Sequence, residues 1–329
     1  MSGTFDVIGS RALRKDAPEK STGAALYVED IKFPGELAGA LLQSPWPHAR
    51  ILNIDASKAL ALPGVKAVLT HRDVPDIKYG VSPARYDERL FAAEKVRYVG
   101  DEVAAVAAVD LATALEAVGL IEVEYEPLPH VLSPAEAMAE GAPLVHEEFA
   151  GNICAEVQQE FGEVESALAQ CDLIQEGWFN SKKQDGAFIE PNQCVAVPDL
   201  SGNLTLYSST QVPHYVQRTL AMVTGLGMSK VRVVKPYVGG GFGPKASATP
   251  IDLASSFLAL RTGRPVRMAY TREQVFLFSR ARHAFSHRMK LGVMKDGTLV
   301  ALDHQAMLDG GAYSSFGIAT VYYAGSLLG

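Results

Sequence analysis

The 329-residue sequence predicts an α+β fold in two units. Between Gly23 and Pro129, short apolar runs of strand length alternate with short helical ones. The stretch 130–160, carrying Pro134, Pro143, Glu147, Glu148 and Gly151, breaks both periods. Beyond it, the strand-like run from Val231 empties into a glycine-rich loop that leads to a strongly capped helix. At 48% hydrophobic, the chain has material for two or three domain-sized cores.

Residues 1–20 are polar and charged (Arg11, Arg14, Lys15, Asp16, Glu19, Lys20) and read as an extended arm lying on the rest of the protein or on a partner. In the first unit, 21–129, the runs Ala25–Val28, Leu37–Leu42 and Ile51–Ile54 read as strands. Ala56–Ala61 reads as a helix turned by Pro63 and Gly64, and Val65–Leu69 as the next strand. A buried strand Val103–Val109, a helix Leu111–Val118 and a strand Ile121–Tyr125, stopped by Pro127, complete that unit.

Residues 130–160 read as a surface connector. The second unit, 161–329, opens with a helix at Val164–Ala169, followed by strands Leu173–Phe179, Gln193–Val197 and Leu204–Ser208. Pro213 near its start and Gly225 past its end bracket a helix over Pro213–Val223. Thr249 as N-cap, Pro250 at the first helical position and Asp252 as capping acid define the next helix, which ends at Thr262-Gly263 because glycine tolerates the left-handed stop. Strands Val266–Tyr270, Met289–Val293 and Leu299–Met307 follow, the last two joined by a Lys295-Asp-Gly297 turn. The end, Tyr322 to Gly329, is apolar and glycine-spaced; it reads as the close of an incomplete unit, expected to pack against chain outside this sequence.

Charge and composition remove whole classes of function. A net charge of -7, a pI near 5.7 and no basic run argue against a nucleic-acid partner. The N-terminus lacks a secretory signal pattern and no apolar run reaches the roughly 18 residues of a membrane span, so a cytoplasmic location is expected. Cys154, Cys171 and Cys194 are odd in number and far apart, without a C-x-x-C pair that would hold zinc or an iron–sulfur cluster; they read as free thiols. His283 and His287 are four apart near a strand end, and no protein-ligated metal is assigned to them.

The chemistry centres on Val238-Gly-Gly-Gly-Phe-Gly-Pro-Lys245. Without Cβ atoms, the N–H groups of Gly239, Gly240, Gly241 and Gly243 can converge on an anion or oxo group, with Phe242 as a wall. The loop lacks the G-K-[ST] ending of a phosphate loop and is not the G-x-G-x-x-G fingerprint. Gln211, delivered by a strand end to the start of a helix, supplies an amide donor of the kind such a site needs.

These residues, with Gln217-Arg218, Gly225 and Lys230–Val233, resemble the molybdenum-cofactor subunit of the xanthine dehydrogenase and aldehyde oxidase family. Thr22–Tyr27 with Asp30, Ser44–Arg50, Pro63–Val65 and Val96–Asp101 resemble its small N-terminal hammerhead α/β domain, and Phe188–Pro191 and Thr271–Glu273 resemble landmarks of its mixed α/β molybdopterin-binding domain. The resemblance implies a hammerhead domain followed by the first part of that second domain. It implies that Gln211 donates to a molybdenum oxo ligand, and that Gln211, Gly240, Gly241, Phe242 and Gly243 hold the cofactor, the metal being bound by pterin sulfurs rather than by protein. The cofactor would be molybdopterin with molybdenum, as the cytosine dinucleotide. Ala246 stands where some purine-oxidising members have glutamate, which disfavours purines.

Asp309–Tyr323 is similar to the 4-hydroxybenzoyl-CoA reductase α-subunit and related enzymes of aromatic or N-heterocyclic substrates, with Phe316, Tyr322 and Tyr323 as substrate-channel walls and Tyr313 as core. The resemblance leaves two directions open, reductive removal of a phenolic hydroxyl or oxidative hydroxylation with water. It also implies a glutamate base outside this chain, Glu190 being a structural carboxylate. The implied partners are the remaining molybdopterin segment, an iron–sulfur subunit to carry electrons away and an FAD subunit. A non-catalytic binding or assembly module of the same fold is the alternative of another class.

Overall fold

A computed structural model describes residues 8–81 and 85–326. The first unit contributes β1 (Leu37–Gln43), β2 (Ala49–Asp55), β3 (Val65–Thr70), β4 (Lys95–Val96), β5 (Glu102–Ala108) and β6 (Glu122–Pro127). The second contributes β7 (Leu173–Ser181), β8 (Gln193–Pro198), β9 (Leu204–Ser208), β10 (Val231–Val234), β11 (Val266–Ala269), β12 (Phe285–Val293) and β13 (Leu299–Leu308). Most of these lie within a few residues of the sequence expectation, because each is a short apolar run closed by Pro, Gly or Asp.

The two units share one sheet. Its order is β10-β9-β8-β11-β1-β5-β3, so strands of both units lie in it, joined where β1 runs parallel to β11 with Leu37 opposite Val266. The Leu37 N–H donates to the Pro265 carbonyl at 2.8 Å across that join. Every residue of β5 is buried; after Glu102 all of its side chains are Ala or Val, which fill the layer without pushing the neighbouring strands apart. Two further three-stranded sheets have the orders β4-β2-β6 and β13-β12-β7.

The helix Pro250–Thr262 lies against the middle of the large sheet and buries Ile251, Leu253, Ala254, Leu258 and Ala259. It reaches β8 and β11 of the second unit and β3 and β5 of the first, so one apolar core runs through both. Its start is the expected capping box: Asp252 accepts from the Thr249 N–H at 2.9 Å and from the Thr249 hydroxyl at 2.7 Å.

Two expectations are corrected, and one element had none. Ala25–Val28 is not a strand; the chain there runs as a loop into a 3-10 turn, Val28–Asp30, because Asp30 accepts from the Tyr27 N–H and the Val28 carbonyl is committed to Arg267 at 3.0 Å. The arm is not extended throughout: Ala17–Thr22 is helical, and Lys20 lies 5.3 Å from the Tyr237 ring centroid, docking the arm beside the strand that feeds the glycine loop. The run at the end, Gly317–Ser326, is a helix, which Gly317 and Gly325 disguise in the sequence. Residues 1–7 of the arm and 327–329 of the apolar end lie outside the described residues.

Gly100 sits where the units meet, at φ +111°, and a Cβ there would stand 2.0 Å from the Phe278 ring. Gly100→Ala is therefore expected to cost roughly 2–4 kcal/mol through clash and backbone strain. Urea unfolding of the variant checks this; an unchanged midpoint would show that the join yields freely.

Candidate functional site

The glycine loop is held from below by a buried ion pair. Lys245 has no solvent exposure and Glu190 has 8%, and their charged groups are 3.0 Å apart. Lys245 also donates to the Glu190 carbonyl at 2.8 Å and lies 4.7 Å from the Phe188 ring centroid. The second Glu190 oxygen accepts from the Gln193 amide at 2.9 Å, while its ion-paired oxygen also takes the Gly239 N–H at 2.7 Å. Burial pushes the Lys245 ammonium below its ordinary value, and the attraction of Glu190 opposes that. Glu190 is thus a brace for the loop, in keeping with its reading as a structural carboxylate.

The same lysine places Gln211. The Gln211 N–H donates to the Lys245 carbonyl at 2.8 Å, and the Gln211 side-chain oxygen accepts from the Gly243 N–H at 2.9 Å. With its oxygen committed, the exposed amide has its NH2 group left to donate. Gln211, Gly240, Gly241, Phe242 and Gly243 are therefore brought together.

Each glycine is needed for its own reason. A Cβ on Gly239 would meet Glu190 at 2.5 Å, and one on Gly241 would meet the Gln211 side chain at 2.6 Å. Gly240 and Gly243 have φ of +105° and +104°, where side chains are strained, and Gly243 has nothing within reach of a Cβ. Among the described residues, the N–H groups of Gly240, Gly241 and Phe242 make no hydrogen bond, which leaves consecutive donors for a ligand. Phe242 is 76% exposed at φ +52°, with its ring edge lying 3.0 Å from where a Cβ on Gly240 would stand.

Beside the loop lies a cavity of about 260 Å³, lined by Pro244 and Thr249, by Tyr270 and Asn192, and by the Phe278–Ala284 and Asp309–Ala312 segments. Sequence reasoning missed it, because its walls come from eight separate stretches, from Glu88 to Ser315, without a shared motif. The Arg280 Nη2 group donates to both Glu88 carboxylate oxygens, at 2.9 and 2.8 Å, and its Nε donates to the Ser247 hydroxyl at 2.7 Å. Tyr313 also lines the cavity, and its hydroxyl reaches Asp101 at 3.2 Å. Ser314 bonds Asp87, so the turn leading into the last helix is tied to the first unit. Phe316 is half-buried, while Tyr322 and Tyr323 are exposed on that helix and pack on each other; none of the three lines the cavity.

Near this wall Asp101 and Glu102 are buried side by side. Burial pushes Asp101 up to about 7 and Glu102 up to about 8, the latter raised further by its neighbour.

Residues 145–329 match the family model described as molybdopterin cofactor-binding domain, and residues 22–129 match that of the aldehyde oxidase and xanthine dehydrogenase a/b hammerhead domain. The chain is 35% identical over 322 residues to the nicotinate dehydrogenase large molybdopterin subunit of Eubacterium barkeri, covering 98% of this chain and 75% of that one. It is 36% identical to a probable hypoxanthine oxidase of Escherichia coli, covering 94% of this chain but 36% of that protein. The structure of quinoline 2-oxidoreductase from Pseudomonas putida superposes with a TM-score of 0.86 at 33% identity, over 93% of this chain and 40% of that one.

Lys245→Met should leave the Glu190 carboxylate buried without its partner, at a cost of roughly 3–5 kcal/mol. Chemical denaturation measures it, and a loss below about 1 kcal/mol would show that the pair does not brace the loop. The acid pair sets a pH dependence. Its folded pKa values lie above those of the unfolded chain, so the folded state holds protons that the unfolded state releases. Stability should fall as pH rises from roughly 4 to about 8, by up to about 1.4 kcal/mol per pH unit for each group. Asp101→Asn should flatten that slope, and an unchanged slope in the variant would remove Asp101 as its source.

Proposed function

The chain belongs to the aldehyde oxidase and xanthine dehydrogenase family, and we propose that its glycine loop and Gln211 hold a molybdopterin cofactor for the oxidative hydroxylation of an N-heterocyclic or aromatic carbon, with water as oxygen source. The observation that carries this reading is the row of uncommitted N–H groups at Gly240, Gly241 and Phe242 beside the free Gln211 amide, an all-donor cradle suited to oxo and other electron-rich ligand edges. When bound, the molybdenum supplies two-electron redox chemistry.

This chain's own residues position and stabilise. Gln211 donates toward negative charge that develops during reaction, and it does so without reorganising because the Gly243 N–H already fixes its orientation. The Lys245–Glu190 pair keeps the loop from collapsing into the space the ligand needs. Ala246 stands directly after Lys245, where some purine-oxidising members carry glutamate, and this disfavours purines; the general base is assigned, on the family resemblance, to the further molybdopterin segment. The same reading includes the cytosine dinucleotide form of the cofactor, an iron–sulfur subunit, an FAD subunit and a cytoplasmic location. Among the described residues no helix is long and apolar enough to cross a membrane.

An N-heterocyclic substrate is favoured by the names of the nicotinate and quinoline enzymes among the similar proteins. The likeness of Asp309–Tyr323 to 4-hydroxybenzoyl-CoA reductase keeps reductive dehydroxylation as the second reading.

Gly241→Val should abolish molybdenum uptake in protein co-expressed with its partner segments, since even a Cβ there meets Gln211 at 2.6 Å. Gln211→Ala should retain the metal and lose turnover by about 10²–10³-fold. Elemental analysis with steady-state kinetics reads both. A fully loaded Gly241→Val protein, or a fully active Gln211→Ala protein, would remove the respective residue from the site.

A further inference from the structure

β10 is the edge strand of the shared sheet, and the chain leaves it after Val234 to reach the glycine loop. Only Val238 separates Tyr237 from Gly239, the first glycine of that loop. With Cα atoms about 3.8 Å apart along the chain, a displacement of Tyr237 is passed on to Gly239 almost undiminished. Whatever holds Tyr237 therefore bears on the geometry of the loop.

Among the described residues, the polar and ring contacts of Tyr237 all come from the N-terminal segment 19–27. Its N–H donates to the Leu26 carbonyl at 3.2 Å and its hydroxyl donates to the Glu19 carboxylate. Its ring centroid lies 6.2 Å from that of Tyr27 and 5.3 Å from the Lys20 ammonium. The segment is folded into a hook: the helix Ala17–Thr22 stops at Gly23, where φ is +76°, and the Ala25 N–H returns to the Glu19 carbonyl at 3.0 Å. The hook is anchored in turn, because the Val28 carbonyl, one residue beyond Tyr27, is bound by Arg267 of β11 at 3.0 Å.

Packing does not account for the tyrosine hydroxyl. Tyr237 is only half-buried and Glu19 is exposed, and one exposed hydrogen bond adds little to the stability of a whole fold. Yet this bond joins residues 218 apart in the chain, and it does so at the point where a small displacement reaches the loop.

We propose that Tyr237 is a positioning residue for the glycine loop, clamped by the N-terminal hook so that the loop meets its ligand already ordered. The loop is then held at both ends, by Lys245 with Glu190 on one side and by Tyr237 with Glu19 and Leu26 on the other. A loop ordered beforehand loses less freedom on binding, so loosening the clamp weakens binding without removing any group that touches the ligand. The identity of that ligand rests on the proposed function, whereas the clamp does not.

The test is hydrogen–deuterium exchange of the full chain, read by mass spectrometry at the Gly239 and Gly243 amides. These N–H groups are bonded to the Glu190 and Gln211 side chains when the loop is in place, so their exchange reports its opening. Tyr237→Phe, which keeps the ring, and Glu19→Ala should each speed that exchange about three- to tenfold. Since both remove the same bond, the double variant should be no faster than either single one. Amides of the buried strand β5 should be unaffected, which separates positioning from a general loss of stability. No acceleration in Tyr237→Phe, additive effects of the two substitutions, or equal acceleration in β5 would overturn the clamp. In complexes formed with the further molybdopterin segment, Tyr237→Phe should also lose molybdenum faster on dialysis by a similar factor; an unchanged rate would overturn the positioning role. A wild-type complex without molybdenum sinks the functional reading and leaves the exchange result standing, while a loaded wild type whose variants exchange normally overturns the clamp alone.

Discussion

The glycine loop depends on one interaction, the buried pair of Lys245 and Glu190. Removing both charges from water costs several kcal/mol each, and attraction alone does not reliably offset that. Here the remaining hydrogen-bonding capacity is also used: Glu190 takes two further N–H donors, and Lys245 gains a backbone carbonyl. The contacts join 188–193 to both ends of the loop, Gly239 and Lys245. The Lys245 carbonyl then fixes the Gln211 backbone. A loop of four glycines has high entropy in the unfolded chain, and this lattice is what holds it in one conformation.

A second constraint acts at larger scale. Because β1 pairs with β11, the hammerhead segment completes the sheet on which the loop is mounted. Arg267 secures that join from the side, donating to Glu36 at 3.0 Å and to the Val28 carbonyl. The cavity wall is likewise shared, since Glu88 of the first unit pairs with Arg280 of the second. The hammerhead segment thus supports the sheet on which the loop is mounted.

The sequence exposed what is encoded locally. The Thr249–Asp252 capping box, the strands closed by Pro or Gly, and the glycine loop with Gln211 all follow from short-range chemistry. The last helix did not, because two glycines and β-branched residues lower its propensity and its packing decides the outcome. Ala25–Val28 has strand composition, but its backbone is claimed by Arg267 and Asp30, and that competition is tertiary. Glu190 was legible as structural, whereas its partner 55 residues away was not. The cavity had no local signal at all: Asn192 and Tyr270 become neighbours only through the pairing of β8 with β11.

Phe242 shows where local stability has been given up. A bulky residue at φ +52° carries a cost of order 1–3 kcal/mol, which glycine at the same position would relieve. Burial does not offset it, since the ring is 76% exposed. Its neighbours explain the geometry but not the side chain: Gly240 and Gly243 already supply positive φ, and the turn closes on Gln211 through the Gly243 N–H. What the left-handed conformation achieves is to leave the Phe242 N–H without an internal partner, alongside those of Gly240 and Gly241, while presenting the ring at the loop's outer edge. Strain combined with exposure at the one aromatic residue in the loop adds nothing to the stability of the fold, and under the proposed function the ring would contact the bound cofactor.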